Sequence, residues 1–184
     1  MKKDFLYRTL NTTSKPVWLT IILVAYIVMQ YAFNGLFDFS TSHLKEVSGG
    51  YSIPDLFFYY SPEQLHDLFH HFGKSGLTEY MHLQLIDMFY PLVYSILLSS
   101  LLFIGYRHSK RYWVIYFPVI ASVFDYLENF TLRFLALSYP AFNNSVAHFA
   151  AFCTAWKWIF VYISILFLIT GSFKWLIKKG KMMI

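Results

Sequence analysis

The stretch SVFDYLENFTLRFLAL, residues 122–137, holds the key to the architecture. It lies in a run from Tyr112 to Leu137 that is otherwise apolar and long enough to cross a bilayer. Yet it carries Asp125, Glu128, Asn129 and Arg133. On a helix, offsets of three and four residues place Asp125 with Glu128, and Asp125 with Asn129, on one face. A charge at the bilayer centre costs about 2.5–3.5 kcal/mol on insertion scales. Such a face must turn towards other protein, so the segment predicts partner helices that carry matching polar groups.

The composition supports that setting. Of 184 residues, 57% are hydrophobic and 14% charged, against roughly 45–50% and 25% in soluble domains. The 20 Phe and 15 Tyr exceed what one soluble core needs. The net charge of +5 does not point to nucleic acid, because the basic residues gather in short patches beside apolar runs. The single Cys153 permits no internal disulfide. The first apolar run ends in YAFNGLFDF, without a small-residue cleavage site, and reads as a retained anchor.

Working outward, the expected fold is all-α: a polytopic membrane protein with four transmembrane helices in a single domain. The expected spans are residues 16–33, 82–106, 112–137 and 146–170. Pro16 suits the first turn of its helix, whereas Pro91 and Pro118 are expected inside helices, where they would kink them. Lys2, Lys3, Arg8 and Lys15, then Arg107, Lys110 and Arg111, then Lys174, Lys178, Lys179 and Lys181 fall on one side. The other side has only Lys45 and Lys74, with Asp38, Glu46, Asp55, Glu63, Asp67 and Glu79. The positive side is cytoplasmic by this rule, which predicts a multi-pass protein of the cell membrane with both termini inside.

The outer connection, residues 34–81, is too long to be structureless. SPEQLHDLFHHFG predicts a helix over 62–72, with Ser61 as N-cap, Pro62 at the first position and Gly73 as the stop. Leu65, Leu68, Phe69 and Phe72 share one face, so this amphipathic helix lies on the membrane surface or caps the bundle. His66 and His70 are four apart with Glu63 on the same side, a spacing open to zinc, but no HExxH is present. Walker A, GxSxG and CxxC signatures are absent from the sequence.

YYSPEQLHDLFHHFGKSGLTEYMHLQLIDMFYPLVY, then FDYLEN in the next span and a Lys in the last, resemble an uncharacterised family of small bacterial four-helix integral membrane proteins. The elements that carry the resemblance are Tyr60, Gly73, Gly76, Tyr80, Asp87, Pro91, Asp125, Glu128, Asn129 and Lys157; Leu77 stands where that pattern has Arg. The resemblance implies the four-helix topology and brings no activity with it.

Depth brings the ionisable groups together. At about 1.5 Å per residue, Asp125 and Glu128 lie roughly 20 and 24 Å above the inner surface, and Lys157 roughly 16 Å below the outer one. Asp87 is roughly 7 Å below the outer surface. These positions pair Asp125 with Lys157 and Glu128 with Asp87, with Asn129 as a neutral bridge. Pro91 adds a feature to Asp87, because it has no N–H to give that residue's carbonyl. Arg133 is expected to join the cluster or to reach for the outer headgroups, while His148 can approach from above and Tyr90 can support.

Three readings stay open. Asp87, Asp125, Glu128 and Lys157 can serve a membrane-embedded enzyme or binding protein for a lipid-like or other hydrophobic ligand, which is slightly favoured. They can form the relay of a proton- or cation-coupled transporter. They can also be a structural ion-pair network. The inner ends of the second and fourth spans, SILLSSLLFIG and VYISILFLIT, offer only hydroxyls as polar groups, which counts against an inner pathway.

Overall fold

The computed structural model describes residues 5–36 and 40–181, of which 36 and 172–181 as backbone only. Lys2, Lys3 and Asp38, used above for orientation, lie outside the described residues, as do the side chains of Lys174, Lys178, Lys179 and Lys181. All regular structure among the described residues is helical. Helix α1 spans Phe5–Thr13, α2 Pro16–Tyr31, α3 Thr41–Val47, α4 Pro62–Asp87, α5 Tyr90–Tyr106, α6 Phe117–Ser138 and α7 Asn144–Lys181. A π-helical turn at Ala32–Leu36 follows α2, and 3₁₀ turns form at Pro54–Leu56 and Tyr112–Tyr116.

Three stretches are long and apolar enough to cross a membrane: Pro16–Gly35, Pro62–Tyr106 and Asn144–Gly171. At 22 residues α6 has the length, but Asp125, Glu128 and Arg133 keep it from the same apolarity. The polar face that betrays its role thus also lowers its hydropathy.

The expected helix over 62–72 starts where its cap residues dictate. The Ser61 hydroxyl accepts from Gln64 N at 3.2 Å, and the Gln64 side chain accepts from Ser61 N at 2.8 Å. This reciprocal pair satisfies two amides that the first turn leaves open. Gly73 does not end the helix as expected. Its φ of 58° bends the chain, and α4 resumes at once and runs on to Asp87. The expected span 82–106 falls within the apolar stretch Pro62–Tyr106, which runs through α4 and α5 with an interruption at Met88–Phe89.

Pro91 and Pro118 also differ from expectation. Both sit in the first turn of a helix, α5 and α6 respectively, where a missing N–H leaves no helical bond unmade. The break ahead of Pro91 lies between α4 and α5. The backbone of Met88 and Phe89 stays in the right-handed region, so the chain is interrupted without turning back.

The side chains of Leu65, Leu68, Phe69 and Phe72 are buried, so this helix caps the bundle. They form one apolar cluster with Leu44 of α3, Ile53, Tyr60, Leu132 and Leu135 of α6, and Ala147 and Ala150 of α7. At the opposite end, Leu10 of α1 packs with Leu102, Phe103 and Tyr106 of α5 and Val114 and Ile115. Thr13 meets Ser100 there at 2.6 Å. Helices α6 and α7 share the most extensive interface, with α5 laid against both. In contrast, α2 has no fully buried residue. Between the two apolar clusters, α6 and α7 carry a layer of charge.

Candidate functional site

The layer is built on the predicted face of α6. Asp125 is 3% exposed, and Glu128 and Asn129 are wholly buried. Lys157 of α7 is 6% exposed and Asp87, at the end of α4, 7%. The Lys157 ammonium is the hub. It lies 2.5 Å from Glu128 Oε2, 3.6 Å from Asp125 Oδ1 and 3.6 Å from Asp55 Oδ1. Depth matching thus places Asp125 beside Lys157. Glu128, expected against Asp87, instead makes the shortest contact of all with Lys157. The reason is helical pitch: Glu128 is one turn from Asp125, and a flexible four-carbon stem lets one ammonium serve both.

Asp87 stands at the edge of this hub. Asn129 lies close enough to act on its carboxyl, with Asp55 and Asp125 within electrostatic reach. The Asn129 side-chain N and O nonetheless make no hydrogen bond of ordinary geometry, and neither do Gln84 Oε1 and Tyr94 Oη. A buried polar atom without a partner costs about 1–3 kcal/mol, so several in one place mark a site.

Other groups belong to the site that sequence reasoning did not assign to it. Asp55 arrives from the 3₁₀ turn Pro54–Leu56. Its carbonyl accepts from the Trp158 indole at 3.1 Å, which fixes the turn beside α7. Thr154, one turn before Lys157, has its hydroxyl 2.7 Å from Glu128 Oε1, 3.0 Å from Ala150 O and 3.2 Å from the Tyr60 hydroxyl. Burial, and then the nearby Glu128 carboxyl, push the Tyr60 hydroxyl well above its ordinary range. The Tyr60 hydroxyl therefore stays neutral, and it accepts from Thr154. An acid inside the apolar string IPDLFF was the available signal for Asp55.

The remaining predicted residues divide. Arg133 does not join the hub: its Nη1 donates to Met81 O at 3.2 Å and ties α6 to α4. His148 does not join it either. It is exposed at the start of α7, within electrostatic reach of Glu63. Tyr90 supports the site from α5. Its hydroxyl accepts from Gln30 Nε2 at 2.9 Å and lies 3.3 Å from the Tyr26 hydroxyl, within electrostatic reach of Asp87 and Asp125. His66 packs against the rings of Tyr139 and Phe142. Among the described residues, no three His, Cys, Asp or Glu side chains are arranged to hold a metal ion.

Two surface grooves flank the layer. One, of about 680 Å³, is lined by Met29 of α2, His82, Leu85 and Ile86 of α4, and Phe89. The other, of about 430 Å³, lies between α6 and the start of α7, at Phe130, Phe134 and Phe149.

Among the described residues, fold and site define an all-helical chain with three membrane-length apolar stretches and a buried layer in which three carboxyls surround one ammonium and a fourth, Asp87, stands beside them. Comparison with known protein families, curated proteins and solved structures finds no match to this chain.

Proposed function

We propose that this chain is a four-span integral protein of the cell membrane, with both termini cytoplasmic. Its outer segment closes over an intramembrane acid–base centre, and that centre binds the polar head of a lipid-like molecule, as an enzyme or as a binding protein. The observation that carries the reading is the excess of acid. Lys157 meets Asp55, Asp125 and Glu128 at once, and Asp87 stands beside them; all but the partly buried Asp55 are away from solvent. A network built only to lock helices needs one carboxylate per ammonium, and each further buried charge costs several kcal/mol. Intramembrane ionisable residues are by default functional.

Binding is favoured over transport by the hydroxyls at the cytoplasmic end. Ser99 donates to Ile115 O, Ser164 to Phe160 O, and Ser100 meets Thr13. Each is engaged locally, and together they do not make a polar path.

The test is native mass spectrometry of the protein purified from its own membranes, for the wild type and Glu128→Gln, with thermal unfolding measured on both. The expected result is a small amphiphile retained by the wild type and lost from a Glu128→Gln protein that is still folded. An unchanged adduct, or none in either protein, overturns the reading. In that case the layer is structural, and Glu128→Gln alters only the unfolding temperature.

A further inference from the structure

The acid layer is closed towards both ends of the bundle but has a weak side wall. That wall is α2, which has no fully buried residue and meets the bundle mainly along α5. Next to it runs the apolar groove of Met29, His82, Leu85, Ile86 and Phe89, facing outward between α2 and α4. Two of its lining residues adjoin the polar groups behind it: Met29 precedes Gln30, and Phe89 precedes Tyr90. Gln30, Tyr26 and Tyr90 form a hydrogen-bonded knot, and Tyr90 lies within electrostatic reach of Asp87 and Asp125. The apolar groove, the hydroxyl and amide knot on residues next to it in the chain, and the carboxyl within electrostatic reach of Tyr90 are thus neighbours.

The identity of the head follows from charge. Beyond the knot stand Asp87, Asp125, Glu128 and Asp55, with a single ammonium among them. Asn129, wholly buried beside Asp87, has both its amide oxygen and its nitrogen without a hydrogen bond, and Gln84 has its oxygen without a donor. An anionic head entering here would meet carboxylates in a medium of low dielectric, which repels it. A cationic head supplies both the missing charge and the missing donors.

Resting on the function proposed above, we infer that the ligand is a single-chain amphiphile with a cationic, N–H-bearing head, such as a long-chain amine. It enters laterally from the bilayer. Its alkyl chain lies in the groove between α2 and α4, and its ammonium passes the Gln30–Tyr90 knot to reach Asp87. The groove volume falls within the roughly 300–1,000 Å³ typical of small-ligand sites.

The experiment uses the full chain in phosphatidylcholine nanodiscs. Two probes of equal chain length carry a diazirine in the chain: hexadecylamine and hexadecanoic acid. After photolysis, labelled peptides are mapped. The amine is expected to label Met29 and residues 82–89 about tenfold more than the acid, the discrimination that one matched charge pairing provides. Leu85→Trp, at an exposed position, should fill the groove and remove that label. Asp87→Asn should bring the amine down to the level of the acid while Leu85 stays labelled. Equal labelling by amine and acid in the wild type overturns the cationic head. Amine labelling at 130–149 that is lost in Asp87→Asn, with none at 82–89, overturns the lateral route but leaves the acid centre as a binding site. Labelling no stronger at 82–89 than on other lipid-facing segments, and indifferent to Asp87→Asn, overturns the inference altogether; the mass-spectrometric test of the centre stands apart from it.

Discussion

The Asp55 carboxyl lies 3.6 Å from the Lys157 ammonium, and the Asp55 carbonyl accepts from the indole of Trp158, the next residue of α7, at 3.1 Å. Two neighbours on one helix thus grip the side chain and the main chain of a single loop residue. The outer segment is clasped to the charge layer at a point, and that clasp can be cut without touching α6.

Cutting it gives the first prediction. Asp55→Ala should lower the local opening free energy of residues 51–60 by about 1–3 kcal/mol, the effect of losing a buried charge-assisted contact. Hydrogen–deuterium exchange would show faster uptake there and unchanged uptake in α5. Equal uptake in both proteins would mean that the clasp holds nothing.

Lys157→Met strands Asp125 and Glu128 without a counter-charge. It should cost about 3–5 kcal/mol of stability, read by denaturant unfolding in micelles. Adding Glu128→Gln should recover part of that loss, because one stranded carboxylate is then gone. Strict additivity of the two changes would contradict a shared hub.

Gly73 has φ +58° and open space where a Cβ would stand. The penalty for replacing it is therefore conformational and not steric. With ψ at −167° this is not the left-handed helical region that Asn tolerates but one nearly reserved for glycine, so Gly73→Ala and Gly73→Asn should each cost about 1–3 kcal/mol. Gly76 is the reverse case: a Cβ there would sit 3.0 Å from the Phe72 Cβ. Thermal unfolding of Gly73→Ala, Gly73→Asn and Gly76→Ala separates the two causes.

The proposed topology rests on Arg107, Lys110 and Arg111 on the exposed turn between α5 and α6, set against the acid-rich segment around α3 and α4. A tag inserted between Gly49 and Gly50 should be reached by a membrane-impermeant reagent in intact cells, and a reporter joined after Ile184 should not. The opposite pattern would invert the protein in the membrane.

The charge layer was legible in part because helices are periodic. Offsets on α6 and a rise of 1.5 Å per residue suffice to bring Asp125 to Lys157. The same arithmetic misplaced Glu128, because side-chain reach is not periodic: one long ammonium took both acids. Asp55 was out of reach for a different reason. Its turn is positioned by Trp158 and by packing around Ile53 and Tyr60, which no local pattern encodes. Pro91 and Pro118 were read as kinks because an apolar run shows no internal boundary; in the fold each marks a helix start. Gly73 was correctly a singular point, but the residues beyond it are helical too, so a stop became a bend.

The bond from Gln30 to Tyr90 has a consequence for biogenesis. The two residues are sixty positions apart in the chain, so during synthesis α2 leaves the ribosome well before its partner exists. An amide entering hydrocarbon alone would lack an acceptor, at a cost of several kcal/mol. Gln30 brings its own: the Tyr26 hydroxyl, one turn back on the same helix, accepts from it at 2.8 Å. In the proposed membrane setting one N–H of the first anchor's amide is thus already bonded within its own helix, and later recruitment by α5 adds a second bond without first breaking that one.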